Sequence, residues 1–588
     1  MMPRNEILKQ LRENPNVSVL IIGAGINGIG VFRDLALNGV DVLLVDRGDF
    51  CSGASSASSH MAHGGIRYLE NGEFRLVREA VQERNRLIEN APHLVRPLPT
   101  VVPIFKIFSG ILNAPLKFLN LLNRPAERGA LVIKIGLMFY DAFTRGQGTV
   151  PPHTFDGREQ SLKKYPKLNP GIKYTASYYD GQLLSPERLA IELLLDGEAE
   201  GSHAMALNYV SLVGIDGTKV TLRDELNPLT PYGGETFNLQ PTLIVNAAGP
   251  WIDPVNTILG LSRRYIGGTK GSHLVLDHPE LRAAIGANEF FFENSDGRIV
   301  LIFPFYDKVI IGASDIPIEN ADEARCTDEE IDYFISLVAR VFPAIKVSRE
   351  NIVFRFSGVR PLPYPERSAV LSLSKGRRTK TTGQITRDHV IHADRCGDIP
   401  VYSLVGGKWT TYRAFAEQVA DRVLAALGRS RNAGTASLPI GGGRNYPLTD
   451  EARAQFVQQL AAETGLDVSH VQQLFERYGT RALEIAKFIQ ADDERPNVII
   501  RSYPFIRSKS VVHRRELEFL IEREKAVHID DLLLRRSTLA WLGEATLALV
   551  DELAGVMADS LGWTDEQTKA EIQRTAVILK DRHGVDLL

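Results

Sequence analysis

Two groups of residues in this chain are suited to chemistry rather than packing. The first is Gly23, Gly25 and Gly28 in "GAGINGIG", a G-x-G-x-x-G spacing directly after the apolar run "VSVLII" (17–22). A second apolar run, "VDVLLVD" (40–46), closes on Asp46 about twenty residues later. Strand, glycine turn, helix, strand and terminal acid together form a dinucleotide-binding βαβ pattern, a far stronger signal than the glycines alone. Gly23 permits the tight turn, Gly25 lets backbone approach a pyrophosphate, and Gly28 lets helix and strand pack closely. The helix N-terminus then faces the phosphates, and Asp46 is placed to accept hydrogen bonds from ribose hydroxyls.

The second group lies in "SSASSHMAHGGIRYLENGEF" (55–74), which crowds hydroxyls, two histidines, a double glycine and an Arg-Tyr pair into one run. A nicotinamide domain would continue with further βα units. Here Ser55 and Ser56 instead offer hydroxyls for a pyrophosphate, a ribityl chain or the edge of a flavin. "NAAGPW" (246–251), with Gly249, returns some 200 residues later, and "GGKWTTY" (406–412), with Gly407, Lys408 and Thr410, adds a third glycine turn. Three separated segments converging on one ligand favour FAD over NAD.

These residues must be positioned by a chain of 588 residues, long enough for two or three domains. Composition is that of a soluble globular protein, 44% hydrophobic and 24% charged, and a net charge of −3 argues against general nucleic-acid binding. Cys51, Cys326 and Cys396 are far apart, so neither a disulfide framework nor a zinc site is expected, and no metal is assigned. The opening "MMPRNEILKQLRENPN" lacks the apolar stretch of a signal peptide. "IFKIFSGILNAPLKFLNLLNR" (104–124) is strongly apolar with sparse cations at Lys106, Lys117 and Arg124, but Pro115 interrupts it. It reads either as a buried helix pair or as an interfacial helix lying on a membrane.

The pattern predicts a mixed α/β fold. A Rossmann-like cofactor domain spans 1–435 and is interleaved with an antiparallel-sheet substrate domain, mostly within 90–240 and 260–355. Phe74, Val77, Val81 and Ile88 recur at helical spacing. "VSLVGIDGTKVTLRDE" and "GRIVLIFPFYDKVIIGASD" read as hairpins. A Gly- and Pro-rich linker at 436–445 leads to an all-helical domain, 446–588, whose last helix opens on the capping box "TDEQ" (564–567).

The chain resembles the FAD-dependent glycerol-3-phosphate dehydrogenases, within the wider D-amino-acid-oxidase-like flavoproteins. The resemblance rests on "GAGINGIG", "SSASS", "HGGIRYLE", "NAAGPW", "KGSHLVL", "FSGVRPL" and "GGKWTTYR", and reaches the helical tail through "EREKAVHIDDLLLRRSTLAWL". It implies oxidation of sn-glycerol 3-phosphate to dihydroxyacetone phosphate, with electrons passed to quinone at a membrane surface. The implied location is cytoplasmic and peripheral to that membrane, with a homodimer as an open assembly.

Such a reaction moves a hydride from C2 to the flavin and a proton from the hydroxyl to a base. Cations must hold the phosphate, and Arg67, Arg360 and Lys408 each stand beside a glycine turn. His63, before the double glycine, and His273, in "KGSHLVL", compete as the base; Tyr68 is a further substrate contact. The chain departs from the resemblance where His60 follows "SSASS" in place of the usual Lys, removing one expected cation. An oxidase passing electrons to oxygen, an enzyme for another hydroxy acid or amine, and a non-enzymatic FAD-bound scaffold are the alternatives. The clustered cations and histidines weigh against the scaffold.

Overall fold

The computed structural model describes residues 2–65, 74–107, 129–144, 149–226, 234–293, 299–364, 388–491 and 512–587. Arg67, Tyr68, most of the apolar 104–124 stretch and residues 507–511 lie outside the described residues.

The apolar run at 17–22 becomes the strand Asn16–Ile22, central in a sheet and buried from Val19 onward. It is flanked in parallel by Val42–Val45 and Thr236–Asn246; Ala204–Leu207 and Ile399–Val405 extend the parallel set on either side. Register aligns Ile22 with both Val45 and Asn246, Val45 with Leu207, and Asn246 with Ser403. The carboxyl ends of all five strands therefore meet along one edge, the edge at which such sheets bind ligands. Val390–Cys396 closes the sheet antiparallel to Ile399–Val405.

Helices Ile26–Leu37, Pro186–Glu198 and Tyr412–Ala426 share a core with this sheet. Small residues set their spacing: a Cβ at Gly197 would lie 2.7 Å from the Phe32 ring, and one at Gly30 would lie 3.0 Å from Tyr412. The hairpin Val210–Asp216 with Lys219–Asp224 pairs onto Thr236–Asn246. Residues 204–224 thus belong to the cofactor sheet, although they fall inside 90–240.

The second sheet is mostly antiparallel. Its path includes Thr269–Leu276, Lys308–Gly312, Ile299–Phe305, Glu289–Glu293, Val95–Ile104 and Tyr174–Leu183, with Ile352–Arg360 paired to Thr269–Leu276. The second predicted hairpin forms as Ile299–Phe305 with Lys308–Gly312. The described part of 446–588 is helical, and its last helix, Asp565–His583, starts on the Thr564/Gln567 capping box. These helices are not a detached appendage. Phe303, Phe305, Phe354 and Phe356 of the second sheet join Leu520, Leu533, Trp541 and Leu553 in one core.

Candidate functional site

The glycine turn is built as the spacing requires. Gly23 adopts φ +106°, where an added Cβ would lie 2.7 Å from the Ala247 backbone. A Cβ on Gly28 would sit 1.9 Å from the Gly23 carbonyl oxygen, so helix Ile26–Leu37 approaches the turn only because both residues lack side chains. Asp46 braces this geometry. Its Oδ2 accepts from the Ala24 amide (2.7 Å) and its Oδ1 from the Gly48 amide (2.9 Å). Burial pushes its carboxyl up to about 6, against the pull of those two amides.

The hydroxyl-rich segment folds over the turn. Ser55 Oγ accepts from the Ile26 amide at the helix N-terminus (3.0 Å), while Ser56 Oγ donates to the Gly53 carbonyl (3.0 Å). The third glycine turn locks onto both partners. Trp409 Nε1 donates to the Ser55 carbonyl (2.8 Å), Asn27 Nδ2 donates to the Gly406 carbonyl (3.0 Å), and Thr410 Oγ1 accepts from the His63 amide (3.1 Å). Gly407, at φ +90°, leaves no room for a Cβ beside Asn27, whereas one at Gly249 would meet nothing within 4 Å. Lys408 is half-buried in this turn.

His273 and Arg360 come together on adjoining strands of the second sheet. His273 Nε2 is 2.8 Å from Ser59 Oγ, and the imidazole stacks on Phe356 with centroids 4.7 Å apart. Burial first, then the positive charge of Arg360, hold the imidazole well below the usual histidine range. Arg360 lies across Gly271, where a Cβ would meet the guanidinium at 2.3 Å, and its Nη1 donates to the Ser314 carbonyl (3.1 Å). A Cβ on Gly358 of the same strand would lie 2.6 Å from Ala57, so this strand seats directly beneath the serine segment.

His60, which stands where the resemblance expects Lys, is buried edge-on to Phe305 and Trp541 with ring centroids at 5.4 and 5.1 Å. Burial lowers it to about 3, so it is neutral. The cation is lost here, and an aromatic cage takes its place.

One cluster was not singled out from sequence. The Gly64 amide, next to His63, donates to Asp180 Oδ1 (2.8 Å); Tyr140 Oη donates to the same oxygen (2.7 Å) and accepts from Arg84 Nη1 (2.6 Å). A Cβ on Gly64 would lie 2.1 Å from Tyr140 Oη. Arg84 is fully buried, at the point of the helical stripe between Val81 and Ile88 where an apolar residue is expected. That misplaced cation was the available signal.

The donors present fit a flavin dinucleotide. The turn at 23–28 sets the N-terminus of helix Ile26–Leu37 at the sheet edge, Gly249 leaves space, and Asn27 Oδ1 is buried with no partner among the described residues. Fold and site define an FAD-binding oxidoreductase. Residues 18–413 match the FAD dependent oxidoreductase family, and residues 433–568 match the C-terminal domain of alpha-glycerophosphate oxidase. A glycerol-3-phosphate dehydrogenase of Synechocystis sp. is 33% identical over 579 residues, 96% of either chain. A D-erythritol 1-phosphate dehydrogenase of Brucella abortus is 30% identical over 536 residues, 90% of this chain and 95% of its own. The structure of the glycerol-3-phosphate dehydrogenase from Bacillus halodurans complexed with FAD has the same fold, with a TM-score of 0.70 at 22% identity over 98% of this chain and 97% of that one. The chain belongs to the FAD-dependent oxidoreductase family.

Proposed function

We propose that this flavoprotein oxidises sn-glycerol 3-phosphate to dihydroxyacetone phosphate and returns its electrons to a membrane quinone. The observation that carries the reading is the meeting of Arg360 with His273 beside the serine segment, while the turn carrying His63 is bonded to Thr410, two residues from Lys408. A phosphorylated secondary alcohol needs cation and base together in this way. The relatives' substrates, glycerol 3-phosphate and D-erythritol 1-phosphate, support a small polyol phosphate.

Bound FAD supplies the hydride acceptor. The chain's own residues do the rest. Arg360 and Lys408, with Arg67 and Tyr68, hold the phosphate; a guanidinium fork matches its oxygens. His63 is assigned as the base that takes the hydroxyl proton. His273 is engaged through Nε2 with Ser59 and held neutral, so its role is to orient the alcohol. Gly23, Gly25, Gly28, Asp46, Ser55, Ser56, Gly249, Gly407 and Thr410 are the cofactor contacts.

Association with a membrane surface has its own support. Helix Ala130–Thr144 leaves Leu131, Ile135, Met138 and Phe139 roughly half exposed along one side. Among the described residues no helix is long and apolar enough to cross a membrane.

The test is anaerobic mixing of the yellow protein with sn-glycerol 3-phosphate while flavin absorbance is followed. Rapid bleaching, reversed faster by quinone than by air, is the expected result. Reversal fastest by air, with peroxide formed, would replace quinone with oxygen. Bleaching by D-erythritol 1-phosphate in preference would reassign the substrate, and no bleaching by either phosphate would overturn the reading.

A further inference from the structure

We infer that the helical C-terminal domain is a working part of the cofactor site: Arg535 and Arg536 grip Asp49 and thereby hold the loop after strand Val42–Val45 against the glycine turn, retaining the dinucleotide. The inference depends on FAD binding and not on which alcohol is oxidised.

Asp49 is fully buried and lies three residues beyond Asp46. Its Oδ2 accepts from Arg535 Nε (2.6 Å) and Arg536 Nη1 (2.7 Å), and its Oδ1 accepts from Arg536 Nη2 (3.0 Å) and Asn208 Nδ2 (2.9 Å). Both arginines come from the single π-turn Leu532–Arg536, an irregular turn of the kind often kept at functional positions. On the far side Arg535 Nη2 reaches Asp530 (2.9 Å) and Asp531, Tyr209 Oη donates to Asp531 (2.6 Å), and Arg536 donates to the Glu524 carbonyl (2.8 Å).

The loop between Asp46 and Cys51 is therefore fixed at both ends. On the cofactor side, the Asp46 carboxylate holds the Ala24 and Gly48 amides, and the Cys51 amide donates to the Ala24 carbonyl (2.8 Å). On the other side stands the arginine pair. Between them, the Asp46 and Gly48 carbonyls accept from the Val210 and Tyr209 amides (2.7 and 2.9 Å). The whole assembly occupies the carboxyl ends of Val42–Val45 and Ala204–Leu207, the edge on which the ribose must sit.

Energetics point to positioning rather than to mere adhesion. Burying several charges at a domain contact is a poor way to gain stability, because desolvation cancels most of the attraction; an apolar contact joins domains at lower cost. The apolar contact already exists in the shared core of Phe303, Phe354, Leu533 and Trp541. A bidentate guanidinium on a carboxylate adds direction, fixing where Asp49 and its loop stand. Burial alone would raise the Asp49 carboxyl, but Arg536 and Arg535 overcome it and keep it ionised.

The experiment measures FAD release from the full-length holoenzyme, read as recovery of free-flavin fluorescence after dilution, alongside thermal unfolding. Asp49→Asn and Arg535→Lys are expected to release FAD at least ~10-fold faster, the size of a ~1.4 kcal/mol loss. Arg477→Lys is the control. It disturbs a similarly buried pair with Glu516 (2.8 Å) inside the helical domain, and is expected to lower the melting temperature while leaving FAD release unchanged. Wild-type release from folded Asp49→Asn and Arg535→Lys would overturn the inference, as would equally fast release from Arg477→Lys. If Asp49→Asn does not fold, Arg535→Lys, which keeps the charge and loses the Nε bond to Asp49, carries the test. A preparation that retains FAD normally but ignores polyol phosphates would sink the substrate reading and leave this inference standing.

Discussion

Gly312→Ala isolates the contribution of His273. The two residues face each other across antiparallel strands, and the imidazole occupies the space a side chain at 312 would need. An alanine Cβ would lie 2.0 Å from His273 Cδ2 and 2.6 Å from Cγ and Nε2. Carbon atoms rest at about 3.5–4.0 Å, so the ring must withdraw by roughly 1.5 Å. The hydrogen bond to Ser59 at 2.8 Å does not survive that shift, and the stack on Phe356 slides apart. Overpacking of this kind costs about 1–3 kcal/mol of stability, and a lost hydrogen bond adds about 1 kcal/mol. If His273 orients the alcohol, a displacement of this size slows flavin reduction on the order of 100-fold, about 2.7 kcal/mol in the barrier. The assay is stopped-flow flavin bleaching at saturating glycerol 3-phosphate, run as a double-mutant cycle with His273→Ala. In the truncated background the clash is gone, so adding Gly312→Ala is expected to cost little further. Wild-type bleaching by Gly312→Ala, or the same penalty in both backgrounds, would refute the reasoning.

Three further predictions follow from the same site. Arg360→Lys keeps the charge but loses the fork, and is expected to raise KM for the phosphate substrate by ~10- to 100-fold, as charged hydrogen bonds of about 1.5–3 kcal/mol imply; steady-state kinetics with competing sulfate checks it. Tyr140→Phe removes the hydroxyl between Asp180 and Arg84, at about 1–3 kcal/mol, and is expected to slow flavin reduction through the His63–Gly64 turn; unaltered reduction would separate that cluster from catalysis. Glu289 is pushed from its ordinary 4.5 up to about 8 by burial and then by the charge of Asp180, so it keeps its proton when folded and sheds it on unfolding. Wild-type stability therefore falls as pH rises from about 4.5 to 8, by up to ~1.4 kcal/mol per pH unit from this group, and Glu289→Gln is expected to flatten that fall; parallel denaturation profiles for the two proteins would contradict the shift.

The glycine turn, both strands of the βαβ unit, the hairpins and the capped last helix could all be read in the sequence, whereas Asp46, expected to face a ribose, has both oxygens on backbone amides of the turn. Each depends on local rules, since glycine spacing, apolar runs and capping residues act within a few positions of themselves. The same rules gave the helix Phe74–Asn90, although Phe74 at its start is exposed and Arg84 occupies its buried stripe.

What local rules could not supply was pairing between distant segments. Nothing near Gly64 in the chain announces Asp180 and Tyr140, which arrive from a strand and a helix far away and meet the amide only after the second sheet closes. His273 could be named from its resemblance, but its neutrality is a product of depth, Phe356 and Arg360, all tertiary. The strongest case is Asp49. In sequence it is one acid in a polar turn; in the fold it is buried beneath two arginines from nearly 500 residues away. The chain by itself determined which dinucleotide pattern it carries, because that pattern is written in adjacent residues. Only the tertiary structure decided which buried charges hold it, because the cost of burying a charge depends on partners that folding alone brings within reach.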